Sequence, residues 1–107
     1  MKREDFYAYY HHQSEHATLK KKSRRGILTT EEKSRMRELD TSQHDERLDL
    51  SIKIGECSDP QTRMMLVMRF LDFRSWAEIA QAMGGGNKSS GCRMRVERYI
   101  KRVDLRN

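Results

Sequence analysis

The last part of the chain holds the side chains whose types and spacing best suit chemistry with a ligand. At about 100° per residue, one face of a predicted C-terminal helix collects Gly91, Met94 and a series of cations. Guanidinium and ammonium groups bind phosphates, and an arginine can donate two hydrogen bonds to guanine N7 and O6. This helix face therefore predicts contact with nucleic acid. Its cations are Arg95, Arg98, Lys101 and Arg102, with Lys88 and Arg93 at the margins.

Nine residues at the start and on the outer face of this helix have expected roles in binding double-stranded DNA. At the helix start, side chains and free backbone N–H groups are expected to bond phosphates or base edges. Arg93 and Arg95 are expected to reach guanine, and Met94 a thymine methyl group. Residues further along are expected to meet phosphates. The predicted DNA-binding set is Lys88, Ser89, Ser90, Arg93, Met94, Arg95, Arg98, Lys101 and Arg102.

The elements before this helix are those that would hold it in place. Ser75 and Glu78 form a capping-box pattern at the start of a short helix, and three glycines end that helix. A short helix, a small-residue turn and a two-faced helix together predict a helix-turn-helix that inserts into the major groove. The inner face of the short helix is predicted to be Trp76, Ile79, Ala80 and Met83. That of the last helix is predicted to be Ser89, Cys92, Val96, Tyr99, Ile100 and Val103.

A third helix is predicted over residues 61–71, after Asp59 as cap and Pro60 as first helical residue. It is apolar almost all round, so we expect burial on several sides. Its methionines Met64, Met65 and Met68 are expected in the core. The same composition also permits a homodimer interface.

The N-terminal half is predicted to form helices that support the C-terminal module. Residues 3–25 predict a helix that stops at Gly26, with Phe6, Tyr10 and Ala17 on one stripe and Tyr9, His16 and Leu19 on a second. Thr29 and Glu32 predict another capped start. Residues 40–42 either break that helix or lie on its exposed face. Residues 43–54 alternate like a strand, yet helix is preferred because nothing pairs with it. Residues 55–58, including Cys57, are expected to form a turn.

Composition sets the class of molecule. Of 107 residues, 36% are charged, against about 25% in typical globular chains. Residues 84–107 carry seven basic and two acidic side chains and residues 1–26 seven and three, whereas residues 27–58 carry five and eight. We predict an all-α fold, with a supporting, oligomerising or partner-binding segment over 1–58 and a DNA-binding module over 59–107.

Several function classes are disfavoured. Two cysteines make no disulfide framework, and no signal-peptide or membrane-spanning stretch is present, so we expect a protein of the bacterial host cytoplasm. His11, His12, His16 and His44 lack a matching set of metal ligands. No paired carboxylates or nucleophile–base pattern emerges. We therefore expect neither an enzyme nor a cofactor, metal or membrane partner.

A family resemblance strengthens the DNA-binding prediction. The strings Met68–Leu71, Ser75–Ala80 and Cys92–Arg98 resemble the C-terminal helix-turn-helix of sigma-70-type factors, their region 4, and above all the small phage and prophage regulators that reuse it, such as late-gene activators. The resemblance spans about 45 residues. It implies a transcription regulator whose base contacts come from Arg93, Met94, Arg95 and Arg98.

The resemblance also has limits. The Gly-Gly-Gly-Asn turn is longer than in sigma factors, and residues 1–58 do not match sigma region 2. RNA polymerase is expected to be contacted, if at all, by the acidic middle or the aromatic first helix. Two other readings stay open. One is a DNA-packaging adaptor similar to a phage terminase small subunit, and the other is a protein-binding inhibitor of a host factor.

Overall fold

The computed structural model describes residues 3–106 and contains, within that range, five helices and no strand. They are α1 (Arg3–Arg24), α2 (Thr30–Gly55), α3 (Pro60–Leu66), α4 (Trp76–Met83) and α5 (Ser89–Arg106). A π-helical segment, Val67–Leu71, continues α3. The all-α prediction is thus confirmed.

The first two helices form an antiparallel hairpin. Gly26 takes a left-handed φ of 70°, which lets the chain turn after α1. The capping box predicted at Thr29 and Glu32 is present and begins α2. Residues 40–42 do not break α2, and the Thr41 hydroxyl donates a hydrogen bond to the Arg37 carbonyl within the helix. Residues 43–54 are helical, as preferred from the sequence.

The far half of this hairpin is joined mainly by charged side chains. Leu19 and Leu39 are its buried apolar residues, and four ion pairs join the two helices. The molecule is accordingly elongated, with a radius of gyration of 15.9 Å, against about 13 Å for a compact chain of this length. The N···O distances are 2.7 Å for Glu15–Arg35, 2.5 Å for His16–Asp40, 2.7 Å for His12–Glu46 and 2.7 Å for Lys22–Glu32.

One hydrophobic core joins the two halves of the chain. The near ends of α1 and α2 contribute aromatic and aliphatic side chains that pack against α3, α4 and α5. The predicted segments 1–58 and 59–107 therefore share a single buried cluster. Its members are Phe6, Tyr9, Leu50, Ile54, Cys57, Met65, Leu66, Met68, Phe70, Leu71, Ile79, Ala80, Cys92, Val96 and Ile100.

The structure corrects three details of the expected core. Met64 is 56% exposed, because α3 packs with only part of its circumference while Met65 and Met68 face inward. Cys57 is buried rather than a plain turn residue. In α1 the buried positions are Phe6, Tyr9 and Leu19, and Ala17 is exposed.

The link between the π-helical segment and α4 is closed by aromatic rings. Phe73 has a φ of 56°, unusual for a side chain of this size. Its ring packs against Tyr9 and Tyr10, with centroids 5.6 and 5.7 Å away. The Arg69 guanidinium lies over the rings of Tyr10 and Trp76. These contacts anchor the start of α4 to α1.

Adjacent methionines provide a matched test of this core. We expect Met65→Ala to lower the free energy of unfolding by about 2–5 kcal/mol, because it leaves a cavity in a buried site. Met64→Ala should change it by about 0.5 kcal/mol or less, because that side chain is exposed. Urea unfolding of both variants measures the difference, and equal losses would contradict the described packing.

Candidate nucleic-acid interface

The short helix α4 is fixed at its start by a local hydrogen-bond exchange. Ser75 Oγ accepts from the Glu78 backbone N–H at 3.1 Å, and Glu78 Oε1 accepts from the Ser75 N–H at 3.0 Å. These bonds hold the pKa of Glu78 below its ordinary value. Ile79 and Ala80 are buried and Trp76 and Met83 partly buried, as predicted.

The turn between α4 and α5 depends on its glycines. Gly84, Gly85 and Gly86 have φ values of 64°, 59° and 78°, in the region that disfavours side chains. Asn87 closes the turn, since both its backbone N–H and its side-chain Nδ2 donate to the Gly84 carbonyl. The turn leads the chain into α5, at whose start the Cys92 N–H donates to the Lys88 carbonyl.

Helix α5 has one buried line and a broad exposed face. Cys92, Val96 and Ile100 are fully buried in the shared core, and Tyr99 and Val103 are partly buried. Ser89, expected inside, is exposed. Eight of the nine predicted DNA-binding residues are exposed: Lys88, Ser89, Ser90, Arg93, Met94, Arg98, Lys101 and Arg102.

Arg95 is placed differently from the other eight. It is partly buried, and its Nη2 lies 2.8 Å from Asp59 Oδ2 while its Nη1 donates to Gln61 Oε1 at 2.8 Å. The Thr62 hydroxyl also donates to Asp59 Oδ2, at 2.5 Å. The Thr62 hydroxyl and then Arg95 hold the pKa of the Asp59 carboxyl below its ordinary value. The Asp59 carboxylate thus pairs with Arg95, and it accepts no capping hydrogen bond from the α3 backbone.

The two carboxylates of α5 are turned toward the first helix. Glu97 accepts hydrogen bonds from Arg3 Nη1 and, at 2.5 Å, from the Tyr7 hydroxyl. Asp104 accepts from the Arg3 backbone N–H at 3.4 Å. Burial raises the pKa of Glu97, but the bonds from Tyr7 and Arg3 outweigh it, so the pKa is lowered. Within residues 3–106, no ion pair engages Arg98, Lys101 or Arg102.

Sequence reasoning missed the partners that orient α5. Arg3, Tyr7 and Gln61 stand far from α5 in sequence, and no local pattern marks them. The only available signal was that Glu97 interrupts a run of cations. In the hairpin, His12 and His16 each lie beside one carboxylate, and the described residues contain no group of three potential metal ligands.

Comparison with protein-family models, with curated proteins and with solved structures finds no match for this chain. Among the described helices, none combines the length and the apolar character needed to cross a bilayer.

Two glycines test the turn and helix separately. Gly85→Ala should lower the free energy of unfolding by about 1 kcal/mol, because its left-handed φ disfavours a Cβ. Gly91→Ala should raise it by about 1 kcal/mol, because alanine favours a helix. An added Cβ meets no atom within 4 Å at either position, so sterics do not intervene. Thermal unfolding measures both, and stabilisation by Gly85→Ala would refute the described turn.

The Tyr7–Glu97 contact predicts a pH effect at the alkaline end. Burial first, and then the hydrogen bond to Glu97, raises the pKa of Tyr7 from 10.0 to about 12. The folded protein therefore keeps a proton that the unfolded chain loses, so stability should fall as the pH rises from 10.0 to about 12. Tyrosinate absorbance of wild type and Tyr7→Phe should differ by one late-titrating group. Identical curves up to the unfolding pH would count against the contact.

Proposed function

We propose that this chain is a sequence-specific double-stranded DNA-binding transcription regulator of the phage or prophage type. In this proposal α4 and α5 act as a helix-turn-helix, and α5 enters the major groove. The observation that carries the proposal is the set of exposed cations on α5. Arg98, Lys101 and Arg102 are exposed and without ion pairs in the described part of the chain. The neighbouring carboxylates, Glu97 and Asp104, accept hydrogen bonds from Arg3.

The dimensions of α5 fit this role. Its 18 residues span about 27 Å, and the DNA major groove, about 12 Å wide, accepts one helix. Cations that lack internal partners lose little on meeting phosphates, and they gain free energy by releasing the counterions of DNA. This electrostatic part of the binding is independent of base sequence.

Sequence preference would come from the first two turns of α5. Ser89 and Ser90 are exposed there, and the adjoining side chains of Arg93 and Met94 reach into solvent. An arginine can recognise guanine and an apolar side chain the thymine methyl group. The N-terminal part of a recognition helix is the part that reaches base edges.

The regulatory part of the proposal concerns the hairpin. Leu48 and Ile52 are exposed one turn apart on α2, near the acidic side chains of Asp45 and Asp49. Such a mixed apolar and acidic surface suits a protein partner. We propose that this surface binds RNA polymerase or a second copy of this chain in the bacterial cytoplasm.

Selection from random double-stranded DNA at two salt concentrations tests the proposal. An enriched motif supports it, and a symmetric motif supports a dimer. If the protein retards DNA without an enriched motif, and light scattering gives the mass of a ring-shaped oligomer, the packaging adaptor is favoured. No retardation at low salt, with tight capture of one host protein, would favour the inhibitor.

Loss of one phosphate contact should be visible in the salt dependence. We expect Lys101→Ala to weaken binding to all sequences alike and to flatten the slope of log affinity against log salt by about one. Lys33→Ala is the control, because it removes the same charge from an exposed position on α2. Equal slopes for the two variants would argue against α5 as the phosphate-binding surface.

A further inference from the structure

The position of α5 depends on contacts of two kinds. Its buried line, Cys92, Val96 and Ile100, holds it by apolar packing, which has little directional preference. Arg95 and Glu97 directly flank Val96 in sequence, so they lie about 100° to either side of it. Each makes hydrogen bonds to another helix or its start, Glu97 to α1 and Arg95 to α3. Directional bonds on both sides further restrict how α5 is rotated about its axis.

The bonds of Arg95 use both terminal nitrogens of its guanidinium. Nη2 donates to Asp59, the residue just before α3, and Nη1 donates to Gln61, the second residue of α3. A bidentate contact with guanine draws on the same fork of donors. In this conformation Arg95 is oriented along the protein surface, between the exposed cations and α3. The adjoining surface hollow is lined by Asp59, Thr62, Arg95, Arg98, Lys101, Arg102 and Leu105.

We propose, resting on the proposed function, that Arg95 is a positioning residue and not a reader of bases. Its bonds to Asp59 and Gln61 restrict the rotation of α5 beyond what its buried line fixes, and thereby refine how Arg98, Lys101 and Arg102 are directed at the DNA backbone. This differs from the role expected for Arg95 from its sequence position alone.

One half of the bridge can be cut without changing any charge. Gln61 is exposed, so Gln61→Ala removes one hydrogen bond while the protein stays folded and its net charge is preserved. Asp59→Asn removes the ion pair of the other half, and a half-exposed ion pair contributes little to overall stability. Because this variant also loses one negative charge, it is compared by hydrogen exchange and not by affinity. Met64→Ala is the matched control, since Met64 lies on α3, is exposed and makes none of these bonds.

The experiment measures affinity and base preference for a selected DNA site, together with amide hydrogen exchange of α5 without DNA. Gln61→Ala should weaken binding by roughly threefold to tenfold, keep the base preference and speed exchange in α5. Arg95→Gln should also keep the base preference, although it should weaken binding further because it removes the Asp59 ion pair and one cation as well. Asp59→Asn should speed exchange likewise, and Met64→Ala should change neither quantity.

The contrary results are distinct. If Arg95 reads a base, Arg95→Gln relaxes preference at one position while Gln61→Ala binds as tightly as wild type. That outcome overturns the positioning role and leaves the proposed function intact. Unchanged α5 exchange in both bridge variants also overturns it. If wild type binds no DNA at low salt, the proposed function fails, and this proposal fails with it.

Discussion

The burial of one line of α5 against the shared core is the constraint on which the rest of the structure depends. Once Cys92, Val96 and Ile100 are inside, helical geometry leaves Arg98 and Lys101 outside. The core is built from both halves of the chain, so the hairpin packs against α5 and holds it in place. Removing the hairpin would expose much of this apolar surface, so the C-terminal helices are not expected to form the same surface alone.

Polar contacts then refine what apolar packing begins. Glu97 on α5 would repel DNA phosphates, and its charge is compensated within the protein by Arg3 while Tyr7 donates a hydrogen bond to it. Asp104 stays exposed beside Lys101. In the far half of the α1–α2 hairpin, charged side chains pair with one another across the two helices. Charged side chains thus hold α1 and α2 together in the hairpin, whereas on α5 the exposed cations remain available to bind a ligand.

Features that depend on a few neighbouring residues could be predicted from the sequence. The capping boxes, the glycine turn and the apolar line of α5 all arise within one or two helical turns. Features that depend on distant packing could not. The exposure of Met64 and the burial of Cys57 follow from where α3 sits on the hairpin. Arg95 has the helical position of a reader, yet its partner Asp59 lies 36 residues earlier in the chain.

The central claim is that the exposed face of α5 is the surface that meets DNA. Titration of the isotopically labelled protein with a selected duplex, followed by NMR, tests it most directly. The account predicts that chemical-shift changes concentrate on Ser89–Arg102, with α2 unaffected apart from the residues that pack near α5. Shift changes concentrated on α2 or at the tip of the hairpin, with α5 unchanged, would contradict it.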